Sequence, residues 1–219
     1  MMRTLIHRIN LFLFSSFMDE YYRLLDREFD GTIESVLDVG CGDSSKMERF
    51  AQRLKHSVGV DNFEPRLLQG AAASVYREYK KMDILEIDRH FAPRSFDCVM
   101  ALDVIEHLKK ADGYRLLDMM EKIARKKVII FTPNGFLRQE AYDGNPHQVH
   151  LSGWDVKEMR ARGYRIVGVN GIKFLRGDRT RIKWWPEFFW FRVSLLTQLL
   201  VRRRPRWAFQ ILCVKKIDS

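Results

Sequence analysis

Val36-Leu37-Asp38-Val39-Gly40-Cys41-Gly42-Asp43-Ser44 is the stretch on which the reading of this chain turns. An apolar run of strand length is followed by an acid, a Gly-x-Gly turn and a serine able to cap a helix, which describes a buried parallel strand turning tightly into a helix over a bound ligand. Outward from it, acids recur where later strands end. Gly59-Val60-Asp61 closes a second apolar run, Met82-Asp83-Ile84 a third, and Phe96 to Leu102 leads to Asp103.

The bulk properties allow one domain. A chain of 219 residues, 46% hydrophobic and 30% charged, can bury a stable core and is not a disordered protein. Its formal net charge of +10 points to polyanionic or acidic partners: nucleic acid, anionic lipid or acidic glycans. Three cysteines, Cys41, Cys98 and Cys213, are odd in number and set in apolar runs, so a reducing, cytoplasmic setting is expected and a disulfide or zinc framework is not. No apolar run reaches the roughly 18 to 20 residues of a membrane span. Near the amino terminus Leu5, Ile9, Phe12, Leu13 and Phe17 recur at helical spacing, the pattern of an amphipathic helix packed on the domain, with membrane-surface contact as its rival.

Alternation of strand-like and helix-like segments fixes the class. Strands are expected at 35–39, 57–61, 79–84, 96–102 and 127–131, with helices at 19–29, 45–54, 64–79 and 114–124. Residues 136–151 form a long loop of the kind that serves as a lid. Ser152 and Asp155 are expected as a capping box for a helix ending at Gly163, and two late strands follow at 164–169 and 207–215. Such a succession gives an α/β fold with a mostly parallel sheet and helices on both faces. Ligands of these sheets sit beyond the carboxyl ends of the strands, which gathers Gly40, Gly42, Asp61, Asp83 and Asp103 around one crevice.

A dinucleotide would want a third glycine and an uncluttered helix start for its pyrophosphate. Asp43 and Ser44 occupy that place, and carboxylates ring the site. Asp61 stands where an acid can take both ribose hydroxyls of a βαβ unit. A ligand without phosphates and with a cationic portion is therefore favoured, and S-adenosylmethionine fits on charge. In these motifs the chain resembles the class I S-adenosylmethionine-dependent methyltransferase family, specifically over about 33–135 and loosely to the last strand. The resemblance implies a Rossmann-like seven-stranded sheet with an antiparallel last strand. It also implies that Gly40 and Gly42 approach the cofactor, that Asp38 organises the loop beneath its amino group, that Asp61 with Asn62 binds ribose, and that Asp83 and Ile84 contact adenine. Asp103 stands at the fourth-strand motif.

Asp103, Glu106 and His107 share a face if a helix begins there, and His147 and His150 lie in the long loop. The set resembles the divalent-metal site of small-RNA 2′-O-methyltransferases and of ubiquinone-pathway O-methyltransferases, with Asp103 one methylene shorter than the usual glutamate. The same Ile-Glu-His-Leu string also serves in relatives without metal, and no metal ligand is assigned. His147 and His150 are the candidate general bases, since imidazole titrates near the working pH.

The expected organisation is a single methyltransferase domain over 1–219, with a helical cap at 1–30, a cofactor-binding core at 33–172, a basic aromatic insert at 173–206 and a last strand at 207–216. Within the insert, Trp184, Trp185, Phe188, Phe189, Trp190 and Phe191 precede Arg202-Arg203-Arg204. A cap over the crevice, membrane-facing or not, is the favoured reading; an interfacial membrane contact, a dimer face and stacking on single-stranded RNA are the others. The expected function is methyl transfer to an oxygen, before nitrogen or carbon, of a small-molecule, lipid or saccharide acceptor. RNA 2′-O-methylation with a metal site and a non-catalytic cofactor-binding scaffold are the alternatives. A monomer or homodimer, cytoplasmic or peripheral to a membrane, completes the expectation.

Overall fold

The computed structural model describes residues 20–141, 144–177 and 181–218. Seven strands form one sheet: β1 Ser35–Val39, β2 His56–Asp61, β3 Glu78–Lys81, β4 Phe96–Leu102, β5 Ala124–Pro133, β6 Arg165–Ile172 and β7 Ala208–Lys216. Their order is β3-β2-β1-β4-β5-β7-β6, parallel throughout except β7, which runs antiparallel to both neighbours. The expected α/β class and antiparallel last strand are thus present.

Period-two alternation explains the layering. From β1, Leu37 and Val39 enter one apolar layer while Val36 enters the other; from β5, Val128 and Ile130 take one side and Ile129 and Phe131 the opposite one. Every residue of β4 is buried, as a strand covered on both faces requires. β3 carries Glu78, Lys80 and Lys81 at the sheet edge, where charge discourages further pairing.

Several local expectations are corrected. The segment 45–54 is a 3-10 turn, Ser45–Met47, followed by a single helical turn at Glu48–Ala51. The helix expected to reach residue 79 runs Glu64–Ala73 and stops where Ser74 adopts a left-handed conformation. This frees Tyr76 and Tyr79 to pack inward, their rings 5.7 Å apart. The third strand ends at Lys81, and Asp83 caps a 3-10 turn by accepting from Leu85 N at 2.9 Å. For the helix Val156–Ala161 the N-cap is Asp155, which accepts from Glu158 N at 2.9 Å. Ser152 takes no part in that cap; its hydroxyl donates to Ile105 O and accepts from Trp154 Nε1. Of the expected N-terminal cap only the helix Glu20–Glu28 lies within the described residues, and Leu5, Ile9, Phe12, Leu13 and Phe17 lie outside them.

Candidate active site

The parallel sheet changes its winding direction between β1 and β4, and there the loops beyond the strand ends part to leave a crevice. The cavity measures about 480 Å³, within the range of roughly 300 to 1,000 Å³ typical of small-molecule sites. Asp38, Gly40, Gly42, Asp61 and Asp103 all stand in its wall, as the sequence led us to expect. Five acids of the wall, these three with Asp43 and Glu106, outnumber Lys46 and Arg66, so an otherwise basic chain presents an acidic pocket.

The glycine loop owes its shape to two backbone requirements. Gly40 has φ +74°, and a Cβ there would lie 2.6 Å from the Val104 side chain. Gly40 N and Cys41 N both donate to Val60 O, at 2.8 and 3.0 Å, locking the turn to β2. Gly42 has φ +53° and nothing within 4 Å of where its Cβ would stand, so its backbone faces open cavity. Asp61 closes the loop from the other side, accepting from Gly42 N at 2.8 Å and from Phe63 N at 2.7 Å.

Beneath the loop, Asp38 is 3% exposed. Tyr76 Oη donates to its Oδ2 at 2.6 Å, whereas Oδ1 is buried with no partner among the described residues. Burial raises the carboxyl to about 7, although the Tyr76 bond and Lys46 pull the other way. An orphaned carboxylate oxygen at the cavity wall is the partner an incoming ammonium needs. Together with the uncovered Gly42 backbone and the acidic wall, it fits S-adenosylmethionine.

Asp103 has φ +59°, a costly conformation for a residue with a Cβ. Three contacts hold it. Its backbone N donates to Phe131 O at 2.8 Å, Gln210 Nε2 donates to Oδ1 at 3.0 Å, and Lys46 Nζ pairs with Oδ2. Burial pulls the Lys46 ammonium down, but Asp103, with Glu106 and Asp38 behind it, more than offsets this and leaves it raised. Neither Lys46 nor Gln210 was singled out from the sequence, and no local motif marks them.

On the acceptor side the residues Ile105–His107 form a 3-10 turn that places Glu106 and His107 against the loop returning from β5. Glu106 is 2% exposed and accepts from Thr132 Oγ1 at 2.9 Å; burial and the charge on Asp103 lift its carboxyl to about 8. His107 Nδ1 lies 3.2 Å from Val149 O, and His150 Nδ1 lies 2.6 Å from Leu137 O. Carbonyls only accept, so each neutral ring carries its hydrogen on Nδ1 and its lone pair on Nε2. Burial first, then His150, pushes His107 down to about 4, keeping it neutral. Ligand atoms of Glu106, His107 and His150 lie within 4.8 Å of one another. Leu151 N and Ser152 N both donate to Glu106 O, at 2.8 and 3.0 Å, and fully buried Trp154 donates to Ile105 O at 3.1 Å, so the end of the long loop is tied to the 3-10 turn Ile105–His107.

Other candidates are placed elsewhere. His147 is exposed and lies outside the cavity wall, because Asn145 accepts from His147 N and sets a short turn that directs it to solvent. Asn62, Asp83 and Ile84 also stand outside the wall; Asn62 is exposed and Ile84 packs against the core. Among the described residues of 173–206 none lines the cavity, so that part of the insert does not form the expected cap over it.

Comparison with known proteins agrees with this geometry. A family model described as a methyltransferase domain matches residues 37–132, from the first strand to the end of the fifth. Over those residues the chain is similar to the methyltransferase-domain family, and its seven-stranded fold is shared with S-adenosylmethionine-dependent methyltransferases of known structure. A magnesium protoporphyrin IX methyltransferase of similar fold from Synechocystis PCC 6803 has SAM bound (13% identity, 92% and 78% of the two chains, TM-score 0.50). The chain is 38% identical over 77 residues to the ubiquinone biosynthesis O-methyltransferase of Hahella chejuensis; the match spans 33% of the chain and 32% of that relative. In fold it is similar to a SAM-dependent methyltransferase from Archaeoglobus fulgidus (17% identity, 90% and 92% of the two chains, TM-score 0.57). It is also similar to the methyltransferase domain of bacterial CtHen1 (15% identity, 92% and 98%, TM-score 0.60).

Proposed function

We propose that the methyltransferase moves a methyl group from S-adenosylmethionine to an oxygen of a small-molecule or lipid-linked acceptor. The observation that carries this reading is the Glu106, His107 and His150 cluster, which faces the same cavity as the donor loop. When bound, S-adenosylmethionine supplies a methyl already activated on a sulfonium, so the chain need only position, exclude water and manage one proton. Asp38 and Asp103 hold the cationic end, and Asp61 the ribose. His150 Nε2 accepts the hydroxyl proton as the new C–O bond forms, its ring fixed by the Leu137 carbonyl. A relative described as an O-methyltransferase agrees with oxygen as the acceptor atom.

The cluster also fits a divalent cation. Two imidazoles oriented by backbone carbonyls and a buried carboxylate are a donor set of that kind, and Glu106, His107 and His150 would hold the ion. Bound there, it would act as a Lewis acid on the acceptor oxygen. Asp103 stands apart from this set, engaged by Lys46 and Gln210.

The test is transfer of labelled methyl from S-adenosylmethionine to a panel of phenols, hydroxylated lipids, saccharides and RNA oligonucleotides. Base-stable label on a phenol or lipid hydroxyl, lost in His150→Ala, is the expected result. Label on RNA alone would replace the small acceptor by a ribose hydroxyl, and label on nitrogen would overturn the assignment of oxygen.

A further inference from the structure

The insert between β6 and β7 is built inside out. In the helix Glu187–Leu196, sequence EFFWFRVSLL, the one buried residue is Ser194. Its hydroxyl accepts from Arg176 Nε at 2.9 Å, and Thr197 Oγ1 donates to Ser194 O at 2.6 Å while accepting from Ile172 N at 3.0 Å. In the next helix, Gln198–Arg203, Gln198 donates to Gly168 O at 2.9 Å and accepts from Gly171 N at 3.1 Å, beside buried Val201. Polar side chains thus fasten the insert to β6. Trp190, Phe191, Val193 and Leu195 are half-buried, but other apolar side chains face away: Trp185 is 88% exposed, Phe188 68%, Leu196 67% and Leu199 66%. A helix apolar on every side is ordinarily covered, by protein or by hydrocarbon.

Charge decides what covers this one. Residues 181–207 hold seven basic side chains, Arg181, Lys183, Arg192, Arg202, Arg203, Arg204 and Arg206, against the single acid Glu187. A symmetric pairing of two copies would set this basic face against itself, which disfavours a dimer. Single-stranded nucleic acid would use the aromatic faces and the arginines but leave Leu196, Leu199 and Leu200 without a partner, since bases offer stacking and not a hydrocarbon bed. An anionic bilayer satisfies both components: Trp and Phe at headgroup depth, leucines in the acyl boundary and arginines on the phosphates.

We infer that the insert is an interfacial docking element that seats this chain on a negatively charged phospholipid surface. It leaves the sheet at Ile172 and returns at Ala208, and Phe209 and Gln210 directly beyond that return line the cavity. The bilayer would therefore lie beside the crevice mouth, where an acceptor dissolved in lipid can arrive. The inference rests on the insert alone and stands whatever atom is methylated.

Sedimentation of the full chain with phosphatidylcholine vesicles, with and without phosphatidylglycerol, tests it. Binding is expected with phosphatidylglycerol, weakening as salt rises. Arg202→Gln with Arg203→Gln and Arg204→Gln should reduce that binding about a hundredfold. Trp185→Ser with Phe188→Ser and Leu199→Ser should abolish it at every salt concentration, with S-adenosylmethionine binding by calorimetry unchanged. Absence of binding to either vesicle overturns the inference. So does a dimer that the serine variant dissolves, or an oligoribonucleotide complex that it loses, where the vesicles remain unbound.

Discussion

Tyr76 donates its phenol hydrogen to Asp38 at 2.6 Å across the top of Gly59, and it is this bond that orients the buried acid under the glycine loop. Asp38 and Gly59 are register partners on β1 and β2, and a Cβ at Gly59 would lie 2.7 Å from the Tyr76 ring. The bond also opposes the rise in the Asp38 carboxyl that burial causes. In the ligand-free chain the neutral acid is favoured up to about pH 7, so its contribution to stability is present below the ordinary value of 3.8 and fades as pH climbs to about 7. Binding of an ammonium wants the carboxylate. Affinity for S-adenosylmethionine should therefore rise with pH through about 7, and Tyr76→Phe should move that midpoint upward and weaken binding by about 1 kcal/mol at neutral pH. Calorimetric titration on both sides of neutrality reads both effects.

Asp61 bonds two backbone N–H groups of the loops it joins and lies in the cavity wall. Asp61→Ala should weaken S-adenosylmethionine binding by about 1 to 3 kcal/mol. Asp61→Asn keeps one acceptor oxygen for the loop and should lose less. Equal affinity in all three proteins would place the ribose elsewhere.

Glu106 makes the folded chain sensitive to alkali. Its carboxyl is raised from 4.5 to about 8, so the folded state holds a proton the unfolded state has released, and stability drains between those values as pH rises. Glu106→Gln preserves an acceptor for Thr132 without a charge to bury. Its melting temperature should match the parent near pH 5 and exceed it above pH 8, by an amount on the order of a few kcal/mol in stability.

Cation binding by the Glu106, His107 and His150 set is measured by the melting temperature in magnesium, manganese or zinc chloride. The parent should be stabilised and His150→Ala should not, with chelation returning the parent to its own ion-free value. His107 is held down to about 4, so protons should compete for its ligand atom only in acid. A parent that melts identically with every ion would remove the cation from the site.

In Val36 to Ser44 the strand and the turn were readable because an apolar run and two glycines lie within one short stretch; the expected cap is not formed, since Ser44 is left-handed at φ +61° and its side chain makes no cap bond. The strand-end acids were readable as a set because parallel topology brings strand ends together. Lys46 and Gln210 were not, since their partner Asp103 lies 57 and 107 residues away and no periodicity reports such a meeting. The alanine-rich stretch after Glu64 pointed to a longer helix than the one that forms, because Tyr76 is wanted at Asp38 and the chain must turn at Ser74 to deliver it. His147 shows the converse error. Two histidines three residues apart look equivalent in sequence, yet the Asn145 turn sends one to solvent and the Leu137 carbonyl draws the other inward.

Ile172 and Ala208 are cross-strand partners at the root of the insert. A segment whose two ends already meet can change length with little change in loop-closure entropy, provided that the bonds of Thr197 and Gln198 to β6 are kept. The glycine loop and the insert are thereby rooted on different strands, β1 and β6, so that one can vary in sequence while the other is kept.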